Sequence, residues 1–303
     1  MLTPFKIDGQ IDFNAYNAYV EWQCQFKPTA LFTVCGSSEM KWLNFRERKE
    51  LIKNTIKYSN GIPVIATANL NRVYQNHTNE IREICDLGVE AAVIVPPQKI
   101  ELNSNIHYEY LSNLNNISDV PLILYEWPQV KKHFIDPNFY AKLVRDNIVI
   151  GIKDTTCNLK DIIKKLNAST DSLIYQANTP FMLDSINKGI KNVMVIVSTV
   201  ESSIISKILK NYDTNPEMCK SLHLSLIFLD SLLRSGYPSS AKYVLKKKGM
   251  NFNEFTRWPN TLNSEIKKSL DLFYINLLNI NLKYCCFKKN KKYLYNGVFV
   301  VGT

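Results

Sequence analysis

The sequence predicts an α/β fold, a (β/α)8 barrel of the TIM type with a C-terminal helical appendage. Two observations carry that reading. Short apolar, β-branched runs alternate with longer amphipathic stretches over residues 1–210. Eight strand–helix pairs result, the number that closes a parallel barrel. A doubly wound open sheet is the alternative, but the GxGxxG fingerprint its usual nucleotide function needs is absent.

Residues 1–5 look like the end of a first strand, cut short at its start. Residues 13–26 follow as a helix, with Asp12 placed to cap it. The second run, 30–35, leads into Gly36-Ser37-Ser38, and 44–58 is a charged surface helix. Strand 63–67 precedes helix 77–87, which Gly88 stops. Strand 91–95 is halted by Pro96-Pro97 and followed by helix 106–114. Strand 121–125 precedes helix 137–145, where Asp136 caps and Pro137 takes the first helical position. Strands 148–153, 172–176 and 192–197 pair with helices 159–166, 180–187 and 202–209. Residues 211–282 carry three further helical stretches, 217–234, 240–248 and 264–282. Residues 283–303 have no helical period and read as a non-homologous basic tail; with the first strand shortened, a gap in the barrel is expected next to the second strand.

Composition narrows the function classes. The 303 residues are 46% hydrophobic and 21% charged, as in an ordinary globular protein. No apolar run approaches the roughly 18–20 residues of a membrane span, and MLTPFKIDGQ has no signal-peptide pattern, so a cytoplasmic protein without membrane contact is expected. Seven cysteines without a CxxC pair point to reduced thiols, and the four histidines have no metal-ligand spacing. The net charge of +10 includes Lys283, Lys288, Lys289, Lys291 and Lys292 in the tail; the remainder is dispersed over helices, which argues against a nucleic-acid partner.

The run IVIGIKDTTCNL, 148–159, holds a lysine, Lys153, inside a strand that should be buried. A buried unpaired ammonium is costly. Either Lys153 pairs with an acid such as Asp154, or its pKa falls and it becomes a nucleophilic amine. Active groups in such barrels sit where strands end. Those ends offer Gly36-Ser37-Ser38-Glu39, Thr67-Ala68-Asn69, Tyr125-Glu126-Trp127-Pro128, Lys153-Asp154-Thr155 and Ala177-Asn178-Thr179. An amine, a phenol and paired hydroxyls beside a glycine are the parts of Schiff-base chemistry on a 2-oxo acid. Tyr125 as a packing aromatic and Gly36-Ser37-Ser38 as an ordinary turn are the plainer alternatives.

On LTPF near the start, Gly36-Ser37-Ser38 with Glu39, the Tyr-x-x-Pro of Tyr125 to Pro128, and Gly151-Ile152-Lys153-Asp154, the chain resembles the dihydrodipicolinate synthase and N-acetylneuraminate lyase family of pyruvate-dependent class I aldolases. The likeness runs from Leu2 to about Trp258 and is nearest to a poorly characterised branch. It implies that Lys153 is the Schiff-base lysine, Tyr125 the proton-relay phenol and Ser37 the relay hydroxyl. It further implies that Gly36 and Ser38 with its backbone N–H bind the pyruvate carboxylate, that no metal or organic cofactor is used, and that the chain forms a homotetramer or homodimer.

Three departures shape the expected substrate. The glycine that normally precedes the glutamate is missing, so Glu39 follows Ser38 directly. The synthases' arginine after the tyrosine motif falls near Val130, and the tyrosine they present after the fourth strand falls in Val95-Pro96-Pro97-Gln98. A lyase or aldolase on a sugar-like 2-oxo acid is therefore expected in preference to a dihydrodipicolinate synthase. Asn69, Glu126, Asn178, Thr179 and Met194 complete the expected substrate-binding set; Asn178 and Thr179 have helix capping as an equal alternative. The competing function is a catalytically silent paralogue serving as an oligomer subunit or binding scaffold.

Overall fold

The structure is a computed structural model that describes the chain apart from residues 98–99, 128–133, 261, 286–297 and 302–303. Its strands are β1 (Ala30–Thr33), β2 (Val64–Thr67), β3 (Ala91–Ile94), β4 (Leu122–Tyr125), β5 (Gly151–Asp154), β6 (Leu173–Gln176), β7 (Asn192–Val193) and β8 (Val298–Val301). All pair in parallel, in chain order, into a closed barrel. Helices α1 (Phe13–Cys24), α2 (Phe45–Tyr58), α3 (His77–Cys85), α4 (Asn105–Ile117), α5 (Pro137–Arg145), α6 (Leu159–Ala168), α7 (Met182–Asn187) and α8 (Ser198–Asn211) alternate with the strands. The C-terminal region adds α9 (Pro216–Arg234), α10 (Ser239–Lys247) and α11 (Ser264–Cys285).

Local chemistry sets these boundaries. Asp12 accepts the Ala15 N–H at 3.0 Å, and Asp136 accepts those of Asn138 and Phe139 at 2.9 and 3.1 Å. Asn44 and Glu47 exchange bonds at 3.0 Å in a capping box that starts α2. Every residue of β1 to β5 is buried, as expected of a sheet covered on both faces. Gly151 is required by close approach: a Cβ there would lie 2.5 Å from the Leu173 carbonyl oxygen on β6. That approach sets the seat of Lys153, two residues on.

Barrel closure differs from the expectation. Residues 1–5 form no strand; Phe5 makes an antiparallel bridge to Ile11, while Met1, Leu2 and Phe5 pack in the core. The place between β7 and β1 belongs to β8, drawn from the segment expected to be a tail. Ala30 and Leu31 pair with Val300 and Val301 on one side, and Asn192 and Val193 with Val298 and Phe299 on the other. Val-Phe-Val-Val is a strong strand former, and two facing edges of unpaired N–H and C=O groups are a template for it. The expected gap is thus filled. The basic run from Lys288 to Lys292 lies outside the described residues, as does the position of Val130.

The C-terminal helices are tied to the loop after β1. Lys242 on α10 donates to Glu39 Oε1 at 2.6 Å and to the Phe255 carbonyl at 2.8 Å. Glu39 Oε2 accepts the Trp258 N–H at 2.8 Å. Arg257 grips Glu47 with two bonds of 2.7 and 2.8 Å, and the Trp42 and Trp258 rings lie 4.7 Å apart. Among the described residues, no helix is long and apolar enough to cross a membrane.

Candidate active site

Side chains alternate along a strand, so neighbours on β5 face opposite ways. Lys153 turns into the barrel, where its Nζ lies 4.1 Å from the centre of the Tyr125 ring and 5.7 Å from that of Phe32. Tyr125 is its register partner on β4. Asp154 turns outward to α6 and meets Lys165 Nζ at 2.6 Å. Asp154 is therefore not the partner of Lys153, and among the described residues no carboxylate pairs with that ammonium. Burial lowers its pKa to about 7, against an opposing pull from Cys35. A large share of the amine is neutral at physiological pH. Burial also pushes the Tyr125 phenol well above its ordinary range, so Tyr125 holds its proton until something takes it.

The loop after β1 is strained and braced. Val34, β-branched, has φ +48°, and Glu39 has φ +59°. Such values are uncommon outside glycine and rarest for branched residues. Glu39 itself takes the turn for which the missing glycine would be suited, held there by Lys242 and Trp258. Between the two lies a tight 3-10 turn, Gly36–Ser38, closed by Ser38 N–H to Cys35 O and Glu39 N–H to Gly36 O, both 3.0 Å. The turn presents Ser37 to the cavity, and Ser37 Oγ accepts a hydrogen bond from the Tyr237 hydroxyl.

A cavity of about 420 Å³ opens above Lys153, within the usual range of ligand pockets. Gly36, Ser37, Tyr125 and Lys153 line it, as do Trp127, Thr155, Cys157, Ala177, Ile196, Arg234, Tyr237 and Trp258. The other expected contacts sit elsewhere. Ser38 Oγ accepts the Cys35 N–H and donates to the Met1 carbonyl, so it holds the turn. Asn69 staples the ends of β2 and β3 through the Val95 N–H and C=O, at 2.9 and 2.6 Å. Glu126 points away to Lys165, at 2.6 Å, and accepts the Ile135 and Thr155 N–H groups. Asn178 donates to Cys157 Sγ, and Thr179 donates to Asp230 at 2.7 Å. Neither caps α7 through its side chain. Met194 is core, buried to 1%. None of these six is among the residues that line the cavity; each side chain is engaged with or packed against the surrounding structure. Glu126 and Thr179 face outward and meet helices, at Lys165 on α6 and Asp230 on α9.

Sequence reasoning gave no role to Trp127 and Thr155, which lie within motifs it had singled out, and missed Cys157, two residues past one of them, and Arg234, Tyr237 and Trp258, which come from the C-terminal region. Only the Gly236-Tyr237-Pro238 turn signal marked the latter stretch.

A parallel barrel with a desolvated, carboxylate-free lysine beside a phenol and a hydroxyl defines a class: barrels equipped for amine chemistry on a carbonyl compound. The sequence model of the Dihydrodipicolinate synthetase family matches residues 1–272, and the chain belongs to that family. It is thereby of the pyruvate-dependent class I lyase and aldolase type. A 2-dehydro-3-deoxy-D-gluconate/2-dehydro-3-deoxy-phosphogluconate aldolase of Picrophilus torridus is 24% identical over 257 residues, 83% of this chain and 95% of the relative. A 4-hydroxy-tetrahydrodipicolinate synthase of Buchnera aphidicola is 25% identical over 290 residues, 92% and 97% of the two chains. Among solved structures, a putative dihydrodipicolinate synthetase from Pseudomonas aeruginosa superposes with a TM-score of 0.83 at 20% identity, covering 91% of this chain and 97% of its own.

Proposed function

We propose that the protein is a Schiff-base-forming lyase or aldolase that joins pyruvate to an aldehyde, or cleaves the product, with Lys153 as the nucleophile. The observation that carries this is the lysine itself: buried, without a carboxylate partner among the described residues, its pKa lowered by burial to about 7, and lining a cavity that Tyr125 and Ser37 also line. The neutral amine attacks the ketone carbon. Tyr125 passes protons to and from the carbonyl oxygen, and Ser37 exchanges protons with Tyr125. The iminium then takes up the electron pair left at C3 when the carbon–carbon bond breaks, or releases it when the bond forms.

The aldehyde partner in this reading is a polyhydroxy, sugar-acid fragment. The cavity is roomy, its lining includes Thr155 and Arg234, and the Picrophilus relative is named for sugar-acid substrates. No metal or organic cofactor takes part in this scheme. Assembly as a homodimer or homotetramer belongs to the same proposal, and light scattering on the purified protein tests it.

The deciding experiment is borohydride trapping with pyruvate, followed by peptide mass spectrometry. The expected result is a reduced pyruvyl adduct on Lys153, lost in Lys153→Ala. Folded protein without an adduct would overturn the proposal and leave the silent-scaffold alternative. A panel of 2-oxo sugar acids then identifies the acceptor.

A further inference from the structure

One phenol in the cavity has no role in the scheme above. Tyr237 lies on the turn between α9 and α10, and its hydroxyl donates to Ser37 Oγ. Its placement is firmly constrained. The Asn260 side chain holds its carbonyl at 2.6 Å. Five residues on, Lys242 is fixed to Glu39, which directly follows the hydroxyl turn. Two tethers thus bring this turn of the C-terminal region against the Ser37 loop. Tyr237 also lines the same cavity as Tyr125 and Lys153, together with Arg234 and Trp258.

We propose that Tyr237 is the outer phenol of the proton relay, acting through Ser37 to connect Tyr125 with water at the cavity mouth, so that the relay is completed within one chain. This rests on the Schiff-base reading above. Attack joins Nζ to the ketone carbon, and the carbonyl π pair moves to oxygen. The proton leaving nitrogen reaches that oxygen by way of Tyr125, giving a neutral carbinolamine with no net proton change. Dehydration needs one proton from outside. It enters from water to Tyr237, while Tyr237 gives its own to Ser37, Ser37 to Tyr125, and Tyr125 to the carbinolamine hydroxyl. The C–O bond breaks with its pair to oxygen, water leaves, and the nitrogen pair forms the C=N bond. Every relay member ends as it began.

The test follows the rate of borohydride-trapped adduct on Lys153, and the exchange of pyruvate C3 hydrogens for deuterium in D2O by NMR. Neither needs the acceptor aldehyde. In Tyr237→Phe both rates should fall by about 10–100-fold, with the final extent of adduct kept and the half-saturating pyruvate concentration within about twofold. Ser37→Ala combined with Tyr237→Phe should be no slower than the slower single variant, because both interrupt one path. Tyr237→His should restore part of the rate and add a titration near pH 6.5, the imidazole's own range; a purely structural tyrosine would give no such titration. Tyr237→Phe trapping and exchanging at the wild-type rate overturns the inference and leaves the Schiff-base reading standing. Rate losses in the two single variants that multiply in the double variant overturn it equally. Wild type without any Lys153 adduct overturns both.

Discussion

Lys153 and Lys165 are both almost wholly buried, within twelve positions of each other in the β5–α6 unit, and their surroundings are opposite. Lys165 donates to Glu126 and Asp154 at 2.6 Å each, and these two charges hold its pKa above the ordinary lysine value against burial. Lys153 sits among aromatic rings, and burial takes its pKa down to about 7. Burial alone therefore does not make a nucleophile; burial without a counter-charge does. The arrangement uses the strand's parity. Asp154, the acid next to Lys153 in sequence, is sent outward to serve Lys165, which leaves Lys153 without a carboxylate among the described residues. Lys165 in turn neutralises two carboxylates that would otherwise crowd the barrel wall. The remaining strain shows in Glu126, whose carboxyl burial and the Asp154 charge push up to about 7.

Removing each lysine separates the two cases. Lys165→Met leaves two buried carboxylates without a cation and should cost about 3–5 kcal/mol in urea or thermal unfolding. An unchanged midpoint would mean that the pair is hydrated and the contrast false. Lys153→Met should do the reverse, stabilising the fold by ~2 kcal/mol while abolishing the adduct, because a methionine has no charge to desolvate. The sign follows from linkage. A lysine at about 7 in the folded state and 10.5 when unfolded binds more proton in the unfolded chain between those values. Its contribution to stability therefore rises as pH climbs from about 7 to 10.5, and that rise should vanish in Lys153→Met. The smallest effect is kinetic. Initial trapping rates in wild type should grow about tenfold from pH 6 to pH 8 as the amine loses its proton. A profile still climbing at pH 10 would place Lys153 among ordinary lysines.

Much of the fold was legible because barrel strands and helices carry strong periodic signals; the spans expected for β2, α5 and α9 lie within a residue of those observed. Lys153 was legible because a charge in an apolar run conflicts with its surroundings, and such conflicts mark function. Asn69, Glu126 and Thr179 do not line the cavity, because sequence shows that a residue ends a strand but not which helix waits outside it. Tyr237 and Trp258 were hidden for another reason. They reach the cavity through the Lys242–Glu39 and Trp42–Trp258 contacts, which join residues some 200 positions apart. No local pattern records a contact of that range. Closure of the barrel by β8 is the extreme case, because a four-residue apolar run far from any βα unit gives no hint of its neighbours.

That last strand gives synthesis a direction. Ala30 leaves the ribosome long before its partner across the seam, Val300. Seven strands and their helices can assemble on the nascent chain, but the seam stays open until β8 has been made. Until then the edges of β1 and β7 are bare, a surface on which another chain's strand could add. Joining ends so distant in sequence also carries the largest loop-closure entropy in the molecule, which makes it the natural last step of folding. The interval before that step is when the protein is most exposed to mispairing.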